Sequence, residues 1–439
     1  MEAAVIGAGL AGCEAAIQLA KKGVNVILYE MRPEVQTGAH KTDMPAEFVC
    51  SNSMGAKDIT IASGLLKAEM ELLDCELLKI AKEVQIPAGN ALAIDRKIFS
   101  EKVKQKIKEY KNINYIQKEI TKIPENIPVI IATGPLTSDN FTKEIQKFTQ
   151  EENLHFFDAI APIVEKDSIN FEIAWFQNRY DKGEPCYINC PMNKEQYIKF
   201  YDYLINAEKI ELKSFEKEHK AKFFESCLPI EVLASRGIDT LRFGPMKPIG
   251  LEDKRTNEKN YAVVQLRQDD IAKSLYNIVG FQTNLKWGAQ KELLKLIPGL
   301  ENANITKFGV MHRNTFINSP RILNSTLQTR KNPNIFFAGQ ITGTEGYTES
   351  IMGGLISGIN MAKYLYNEKL LIFPTETIIG ALLNYITSRE HKNFQPINAN
   401  MGILKEIDLD KKIRKNKRLK YEILANRSIN TLKAFIAEI

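Results

Sequence analysis

Two cysteines in this sequence lie in segments where a thiolate could act as a nucleophile or as a base. Cys50 lies in the segment EFVCSNS and Cys227 in FESCLPIE, and neither occupies a periodic apolar face. By contrast, Cys13 and Cys75 fall within helical apolar patterns, where a cysteine usually packs as a small hydrophobic residue. Thiolate reactivity depends on exposure and nearby charge, so the sequence leaves both a reactive and an inert role open for Cys50 and Cys227.

A further pair, Cys186 and Cys190, has the spacing C-x-x-x-C. A zinc site would need more cysteine or histidine ligands at a workable spacing. The five histidines are scattered along the chain and supply no such set. We therefore expect no metal site.

The N-terminal segment has the pattern of a dinucleotide-binding βαβ unit. A short apolar strand at Ala3–Ile6 leads into a glycine-rich loop formed by Gly7, Ala8, Gly9, Leu10, Ala11 and Gly12. A helix pattern over Cys13–Lys22 and a strand pattern over Val24–Tyr29 follow, and Glu30 closes the strand. The glycines permit a tight turn and close backbone approach to a pyrophosphate, whose charge the helix N-terminus favours. We expect Glu30 to accept hydrogen bonds from a ribose.

A similar pattern returns near the C-terminus. The strand Ile335–Ala338 runs into the turn Gly339-Gln340, and a helix is predicted over Ser350–Tyr364 with glycines at 353, 354 and 358. We expect these small residues to let the helix N-terminus and a strand approach a ligand closely. A dinucleotide-binding domain split in this way favours FAD over NAD, with the flavin near the second glycine turn and the adenine near the first.

The predicted fold class is α/β, a Rossmann-like FAD-binding domain interrupted by an α+β insertion domain. We place the first part of the FAD-binding domain at residues 1–154, the insertion at 155–325 and the second part at 326–439. Between the glycine motifs, one helix is predicted over Lys97–Tyr110 after Asp95. A single amphipathic helix is also predicted from the spacing of Leu66, Met70, Leu73, Leu77, Ile80 and Val84.

Composition narrows the class of protein. The chain has 439 residues, of which 44% are hydrophobic and 26% charged, and this excludes a disordered, collagen-like or coiled-coil chain. No apolar run approaches the roughly 18 residues of a membrane helix, and the N-terminus lacks a secretory signal pattern. Six cysteines form no disulfide framework, so we expect a cytoplasmic protein.

The formal net charge of +6 permits an anionic partner without requiring one. A strongly basic run lies at 411–420 and contains Lys411, Lys412, Arg414, Lys415, Lys417, Arg418 and Lys420. Such a run is typical of a solvated helix face, and it is also what contact with a phosphate backbone requires. Composition leaves both interpretations open.

Taken together, these motifs resemble the TrmFO family of folate- and FAD-dependent RNA (uracil-5-)-methyltransferases. The matching segments extend over nearly the whole chain and include VIGAGLAG at 5–12, VCSNS at 49–53, PAGNALAIDR at 87–96, LPIEVLASRG at 228–237 and FAGQITGTEGYTES at 337–350. The insertion-domain motifs distinguish the chain from the related MnmG/GidA flavoproteins, which are similar around FAGQ. One departure from the family pattern is Ser226-Cys227-Leu228-Pro229, where Gly-Cys-Met-Pro is usual.

The resemblance implies a mechanism in which NADPH or NADH supplies reducing equivalents and 5,10-methylenetetrahydrofolate supplies the carbon for C5 of a uridine. The family's two functional cysteines fall on Cys227, expected to be the nucleophile, and Cys50, expected to be the base. Gly339 and Gln340 are expected to contact FAD, and Tyr347 matches an aromatic residue expected to stack on the flavin.

The implied RNA target is the T-loop uridine of tRNA. Alternatives are the same chemistry on a 23S rRNA uridine and an MnmG-like enzyme acting on a wobble uridine, although the two cysteine motifs argue against the latter. A non-catalytic RNA-binding flavoprotein and a flavin oxidoreductase for small substrates are the remaining hypotheses.

Overall fold

The computed structural model describes residues 1–151, 154–210, 228–253, 255–256, 259–391, 394–410, 413 and 415–438, with backbone only for 154–159 and 311–313. The predictions made for Cys227, Lys411, Lys412 and Arg414 lie outside these residues. Within the described ranges, no helix has both the length and the hydrophobicity needed to cross a membrane.

The strands in chain order are β1 (Glu2–Ile6), β2 (Asn25–Glu30), β3 (Ser53–Ala56), β4 (Gln85–Ile86), β5 (Ala91–Ile94), β6 (Ile113–Gln117), β7 (Val129–Ile131), β8 (Leu154–Ala159), β9 (Ile163–Glu165), β10 (Trp175–Phe176), β11 (Tyr187–Met192), β12 (Ala262–Gln268), β13 (Leu275–Ile278), β14 (Ile305–Lys307), β15 (Met311–Phe316) and β16 (Ile335–Phe337). The α-helices are α1 (Leu10–Lys21), α2 (Ala62–Leu72), α3 (Glu76–Glu83), α4 (Arg96–Glu109), α5 (Asp139–Thr149), α6 (Lys194–Asn206), α7 (Ile230–Ala234), α8 (Thr240–Phe243), α9 (Trp287–Lys295), α10 (Ser319–Ile322), α11 (Tyr347–Leu365), α12 (Ile378–Thr387) and α13 (Lys417–Ala437).

A parallel sheet with the order β16-β7-β1-β2-β6 forms the centre of the fold. Its central strands are continuous apolar runs because helices cover a parallel sheet on its faces. Strand β16, from the C-terminal part of the chain, pairs with β7 from the N-terminal part. This arrangement confirms the predicted α/β class with a Rossmann-like domain built from two separate stretches of sequence.

An antiparallel sheet with the order β10-β11-β12-β13-β9-β14 lies between those two stretches in sequence. It has its own hydrophobic core, whose buried members run from Ala161 to Leu300. The core of the parallel-sheet region draws instead on residues from Ala3 to Ile145 and from Phe316 to Leu432. The exact domain limits at 154/155 and 325/326 stay a prediction.

Two glycines of the C-terminal helix serve helix packing, while the predicted approach of this segment to a ligand stays a prediction. Helix α11 begins at Tyr347, three residues before the predicted start. A Cβ atom on Gly354 would lie 2.1 Å from the carbonyl oxygen of Ala11, and one on Gly358 would lie 2.9 Å from that of Ala15. These glycines therefore bring α11 against α1, so that the two glycine-rich segments of the sequence meet.

The predicted helix through Leu66 and Val84 is wrong, because the chain breaks there into α2 and α3. Asp74 adopts a left-handed conformation with φ 62°, and Cys75 caps α3 instead of lying within a helix. The buried Glu14 carboxylate accepts hydrogen bonds from the amides of Glu76 (3.2 Å) and Leu77 (2.8 Å). A distant side chain thus stabilises the start of α3.

Helix α4 follows its prediction closely. Its N-cap is Asp95, whose side chain accepts a hydrogen bond of 3.0 Å from the amide of Ile98. A cap of this kind is encoded locally, which is why the sequence locates the start of the helix.

Candidate active site

The glycine-rich loop between β1 and α1 forms a cradle at the carboxyl edge of the parallel sheet. Gly7 has φ +99°, and a Cβ atom there would lie 2.6 Å from the carbonyl oxygen of Ala132. A Cβ atom on Gly12 would lie 1.8 Å from the carbonyl oxygen of Gly7, so the helix can approach the loop only without a side chain. Gly9 caps α1 without a side-chain hydrogen bond, and a Cβ atom there would meet nothing within 4 Å. The N-terminus of α1 therefore has space for a phosphate group, and the loop fits a dinucleotide.

Glu30, predicted to contact a ribose, is also part of an internal network. One carboxylate oxygen accepts a 3.1 Å hydrogen bond from the amide of Ala8, and the other accepts a 2.8 Å bond from Nε of Arg32. Arg32 is buried and forms a second ion pair with Glu47 at 3.0 Å. The main-chain amide of Arg32 also donates to the second oxygen at 3.1 Å, so the oxygen bonded to Ala8 is the one that retains capacity to accept a further bond. Glu30 lines a cleft together with Gly9, so its position suits the predicted contact.

The second glycine turn lies directly against the first. Gly339 has φ +79°, and a Cβ atom there would lie 2.6 Å from the Cβ atom of Ala11. The Gln340 amide group donates a 2.5 Å hydrogen bond to Glu345, in the segment that leads into α11. The structure thus brings together the glycine segments that the sequence analysis assigned to opposite ends of one cofactor.

Cys50 is attached to both glycine-rich regions. Its amide donates a 2.7 Å hydrogen bond to the hydroxyl oxygen of Tyr347, the first residue of α11. The ring of Tyr347 lies 4.2 Å from that of Phe48, centroid to centroid. On the other side, the Ala46 amide donates a 2.8 Å bond to the carbonyl oxygen of Ala8. The segment 46–50, which we call the Cys50 loop, therefore connects the first glycine loop to Tyr347.

Two cations that the sequence analysis did not assign also contact the Cys50 loop. Arg96 donates from Nη1 to the carbonyl oxygens of Cys50 (3.3 Å) and Phe48 (3.4 Å), while Nη2 binds both oxygens of Asp269 at 2.6 and 2.5 Å. Lys307 donates a 2.8 Å bond to the carbonyl oxygen of Val49. Arg96 lies in the PAGNALAIDR motif, but its partner is distant in sequence and gives no local signal.

Asn52, two residues beyond Cys50, is fully buried. Its amide nitrogen donates to the carbonyl oxygens of Gln268 (3.0 Å) and Ile94 (3.2 Å). Its side-chain oxygen has no hydrogen-bond partner among the described residues. A buried acceptor left without a donor is costly in a protein, so this oxygen is available to a ligand or a water molecule.

The other described cysteines are buried, unlike Cys50. Cys13 and Cys190 are 0% exposed, and burial raises the pKa of each thiol well above its ordinary value. Burial also raises the pKa of Cys75 and Cys186. These thiols therefore stay protonated at neutral pH and pack as small hydrophobic groups.

The described part of the basic run lies beside the N-terminus of α11. Lys417 and Arg418 are exposed and line a cleft of about 810 Å³. Gly346 and Tyr347 line the same cleft. The run thus lies next to the residue that contacts Cys50.

The fold and this site together define a Rossmann-like dinucleotide-binding protein with an antiparallel insertion and a cysteine loop beside the cofactor cradle. A family described as glucose inhibited division protein A matches residues 2–369. Two curated relatives are named methylenetetrahydrofolate--tRNA-(uracil-5-)-methyltransferase TrmFO. The protein from Anoxybacillus flavithermus is 55% identical, and the alignment covers 100% of both chains. The protein from Bacillus subtilis is 56% identical, and the alignment covers 98% of this chain and 97% of that one. The chain therefore belongs to the glucose inhibited division protein A family and, within it, to the TrmFO family.

A solved structure of Aquifex aeolicus GidA shares the fold, with a TM-score of 0.71 at 17% sequence identity. The match covers 99% of this chain and 73% of that one. At this identity the similarity concerns the fold alone.

Proposed function

We propose that this protein transfers the methylene carbon of 5,10-methylenetetrahydrofolate, with reduction, to C5 of a uridine in tRNA. The observation that carries the proposal is the contact of Cys50 with Tyr347, because it attaches a partly exposed cysteine to the glycine segments that suit FAD. Relatives named for this reaction align over the full chain. The same name favours tRNA over the alternatives of 23S rRNA and a wobble uridine.

The chemistry requires two groups from the protein. Uracil C5 is a poor nucleophile until a thiolate adds at C6, and the proton on C5 must be removed before the product leaves. We assign the addition to Cys227 and the proton removal to Cys50. Because uridine in folded RNA is stacked, the site must accept a flipped base.

Residues of both glycine segments would hold FAD. Gly7, Ala8, Gly9, Leu10, Ala11 and Gly12 would face the phosphates, Glu30 the ribose, and Gly339, Gln340 and Tyr347 the flavin half. FAD, when bound, supplies the redox chemistry that converting a methylene group into a methyl group requires. We propose NADPH or NADH as the source of the reducing equivalents.

The basic run supplies a contact surface for the RNA backbone. Lys417 and Arg418 are exposed beside the cleft that Tyr347 lines, so a phosphate held there would lie close to the site. Folate chemistry and tRNA substrates are both expected in the cytoplasm.

The proposal is tested by incubating the purified flavoprotein with unmodified tRNA, NADPH and methylene-labelled 5,10-methylenetetrahydrofolate. Mass mapping of the digested RNA should find the label in 5-methyluridine at the T-loop. S-adenosylmethionine labelled in its methyl group should transfer nothing. Label arriving from S-adenosylmethionine, or on 23S rRNA fragments in place of tRNA, would contradict the proposal.

A further inference from the structure

Lys307 crosses from the antiparallel sheet to the Cys50 loop. It ends β14, at the edge of that sheet, and its ammonium group donates a 2.8 Å hydrogen bond to the carbonyl oxygen of Val49. Val49 immediately precedes Cys50, so this bond fixes the peptide that carries the thiol. A charged donor makes a shorter and stronger bond than a neutral one.

The other charged groups around the Cys50 loop are already paired. Arg96 is neutralised by the bidentate contact with Asp269, and Glu47 is paired with Arg32 at 3.0 Å. Tyr347 contributes a hydroxyl group that accepts from the Cys50 amide. Among the described residues, no carboxylate lies within ion-pairing distance of Lys307. Lys307 therefore forms no ion pair within the described part of the chain, and Asp269 and Glu47 act on its charge only from a longer distance.

The electrostatic effect between Lys307 and Cys50 is mutual. Burial, together with the nearby Arg96, lowers the pKa of Lys307 to about 8, while the charges of Cys50, Asp269 and Glu47 act in the opposite direction. A thiolate that favours the charged ammonium must itself be favoured by that ammonium to the same degree.

We propose that Lys307 is a positioning residue for Cys50, which orients the loop through the carbonyl of Val49 and stabilises the thiolate form of the cysteine. The catalytic meaning of this role depends on the proposed function, because a general base must be deprotonated before it can take the C5 proton. The effect on the thiol itself exists without any RNA.

The test is the pH dependence of Cys50 alkylation by iodoacetamide in the flavin-loaded protein, followed by mass spectrometry of the Cys50 peptide. Lys307→Met removes the charge and the donor, Lys307→Gln keeps a donor without charge, and Lys307→Arg keeps the charge. In the Met and Gln variants, we expect the midpoint of the pH dependence of Cys50 alkylation to rise by about one pH unit. At pH values below that midpoint, alkylation of Cys50 should be roughly tenfold slower than in the wild type. The Arg variant should restore most of the effect.

A matched control is Lys331→Met, because Lys331 also donates to a main-chain carbonyl, that of Phe148 at 3.2 Å, but lies exposed. In this control variant, the pH dependence of Cys50 alkylation should equal that of the wild type. Flavin absorbance and thermal unfolding identify any variant that fails to fold. If Lys307→Met does not fold, the alkylation midpoint of Lys307→Gln decides whether the charge matters. An unchanged midpoint in folded Lys307→Gln would overturn the charge effect. If the midpoint shifts but the wild type methylates no RNA, the proposed function fails and the effect on Cys50 stands.

Discussion

The hydroxyl oxygen of Tyr347 accepts a 2.7 Å hydrogen bond from the amide of Cys50, although 297 positions separate the two residues in the sequence. Tyr347 is the first residue of α11, which packs against the helix of the first glycine loop. The position of the cysteine is therefore coupled to the packing of both halves of the cofactor-binding domain. This coupling explains why the cysteine can lie on a loop and still have a defined place.

Replacing Tyr347 with Phe should impair methylation more than flavin binding. The change leaves the Cys50 amide without its acceptor, a loss of about 1–3 kcal/mol for a buried group and less for this partly buried one. We expect kcat to fall about tenfold while the flavin absorbance is retained. Tyr364→Phe on the same helix removes an exposed 2.6 Å bond to Asn334 and should leave kcat unchanged. Equal kcat values in both variants would show that the bond does not position Cys50.

Gly12→Val should abolish FAD binding. A Cβ atom at this position would overlap the carbonyl oxygen of Gly7 at 1.8 Å, so the loop must move from its phosphate-binding shape. The measurement is the ratio of flavin to protein absorbance after reconstitution with FAD. Gly288→Ala is a suitable control because a Cβ atom there meets nothing within 4 Å. Full flavin loading of folded Gly12→Val would place the cofactor elsewhere.

Cys50→Ala and Cys227→Ala should each abolish methylation while FAD remains bound, because both lie outside the glycine loops. Cys186→Ala should stay active, since burial raises the pKa of that thiol. RNA containing 5-fluorouridine should form a covalent adduct with Cys227, because fluorine prevents loss of the C5 proton. Peptide mapping checks this assignment, and an adduct on Cys50 would reverse the two roles.

Neutralising Lys417 and Arg418 with Gln should weaken tRNA binding and reduce its salt dependence. Each lost phosphate contact lowers the slope of log K against log salt by about one unit. Filter binding over a salt series measures the change, and flavin content should be unaffected. The exposed residues Lys143 and Lys147 on α5 provide a control pair of equal charge. If both pairs behave alike, the basic run is an ordinary solvated face.

Glu69 should make stability depend on pH. Its carboxylate accepts hydrogen bonds from the amides of Ile378 (2.8 Å) and Ile379 (2.9 Å), and from the hydroxyl of Ser428 on α13. Burial raises the pKa of Glu69 from 4.5 to about 7, so the folded state binds the proton more tightly than the unfolded state. The free energy of unfolding should therefore decrease as pH rises from about 4.5 to about 7 and then level off.

The measurement is urea unfolding of the wild type and Glu69→Gln across this pH range. The variant cannot ionise at this position, so its stability relative to the wild type should increase by up to roughly 3 kcal/mol as pH rises. If the difference in free energy of unfolding between Glu69→Gln and the wild type does not vary with pH, Glu69 ionises in the folded protein as it does in water.

The sequence by itself determined the local elements of this protein. The βαβ unit around Gly7–Gly12 could be predicted because apolar periodicity, glycine spacing and the acid at Glu30 all lie within one short segment. The start of α4 could be predicted because its cap, Asp95, bonds three residues along the chain. Such signals survive without tertiary contacts, since the groups that interact are neighbours in sequence.

Tertiary structure alone decided the relationships that assemble the candidate site. The break at Asp74 depends on Glu14, a residue of α1 that stabilises the start of α3. The spacing of apolar residues in the sequence gives no sign of this contact. The role of Gly354 depends on the backbone of Ala11, and the place of Cys50 depends on Tyr347 and Lys307. Hydrogen bonds and ion pairs between distant residues require groups that only the packed chain brings together, and low-dielectric burial gives these contacts their strength.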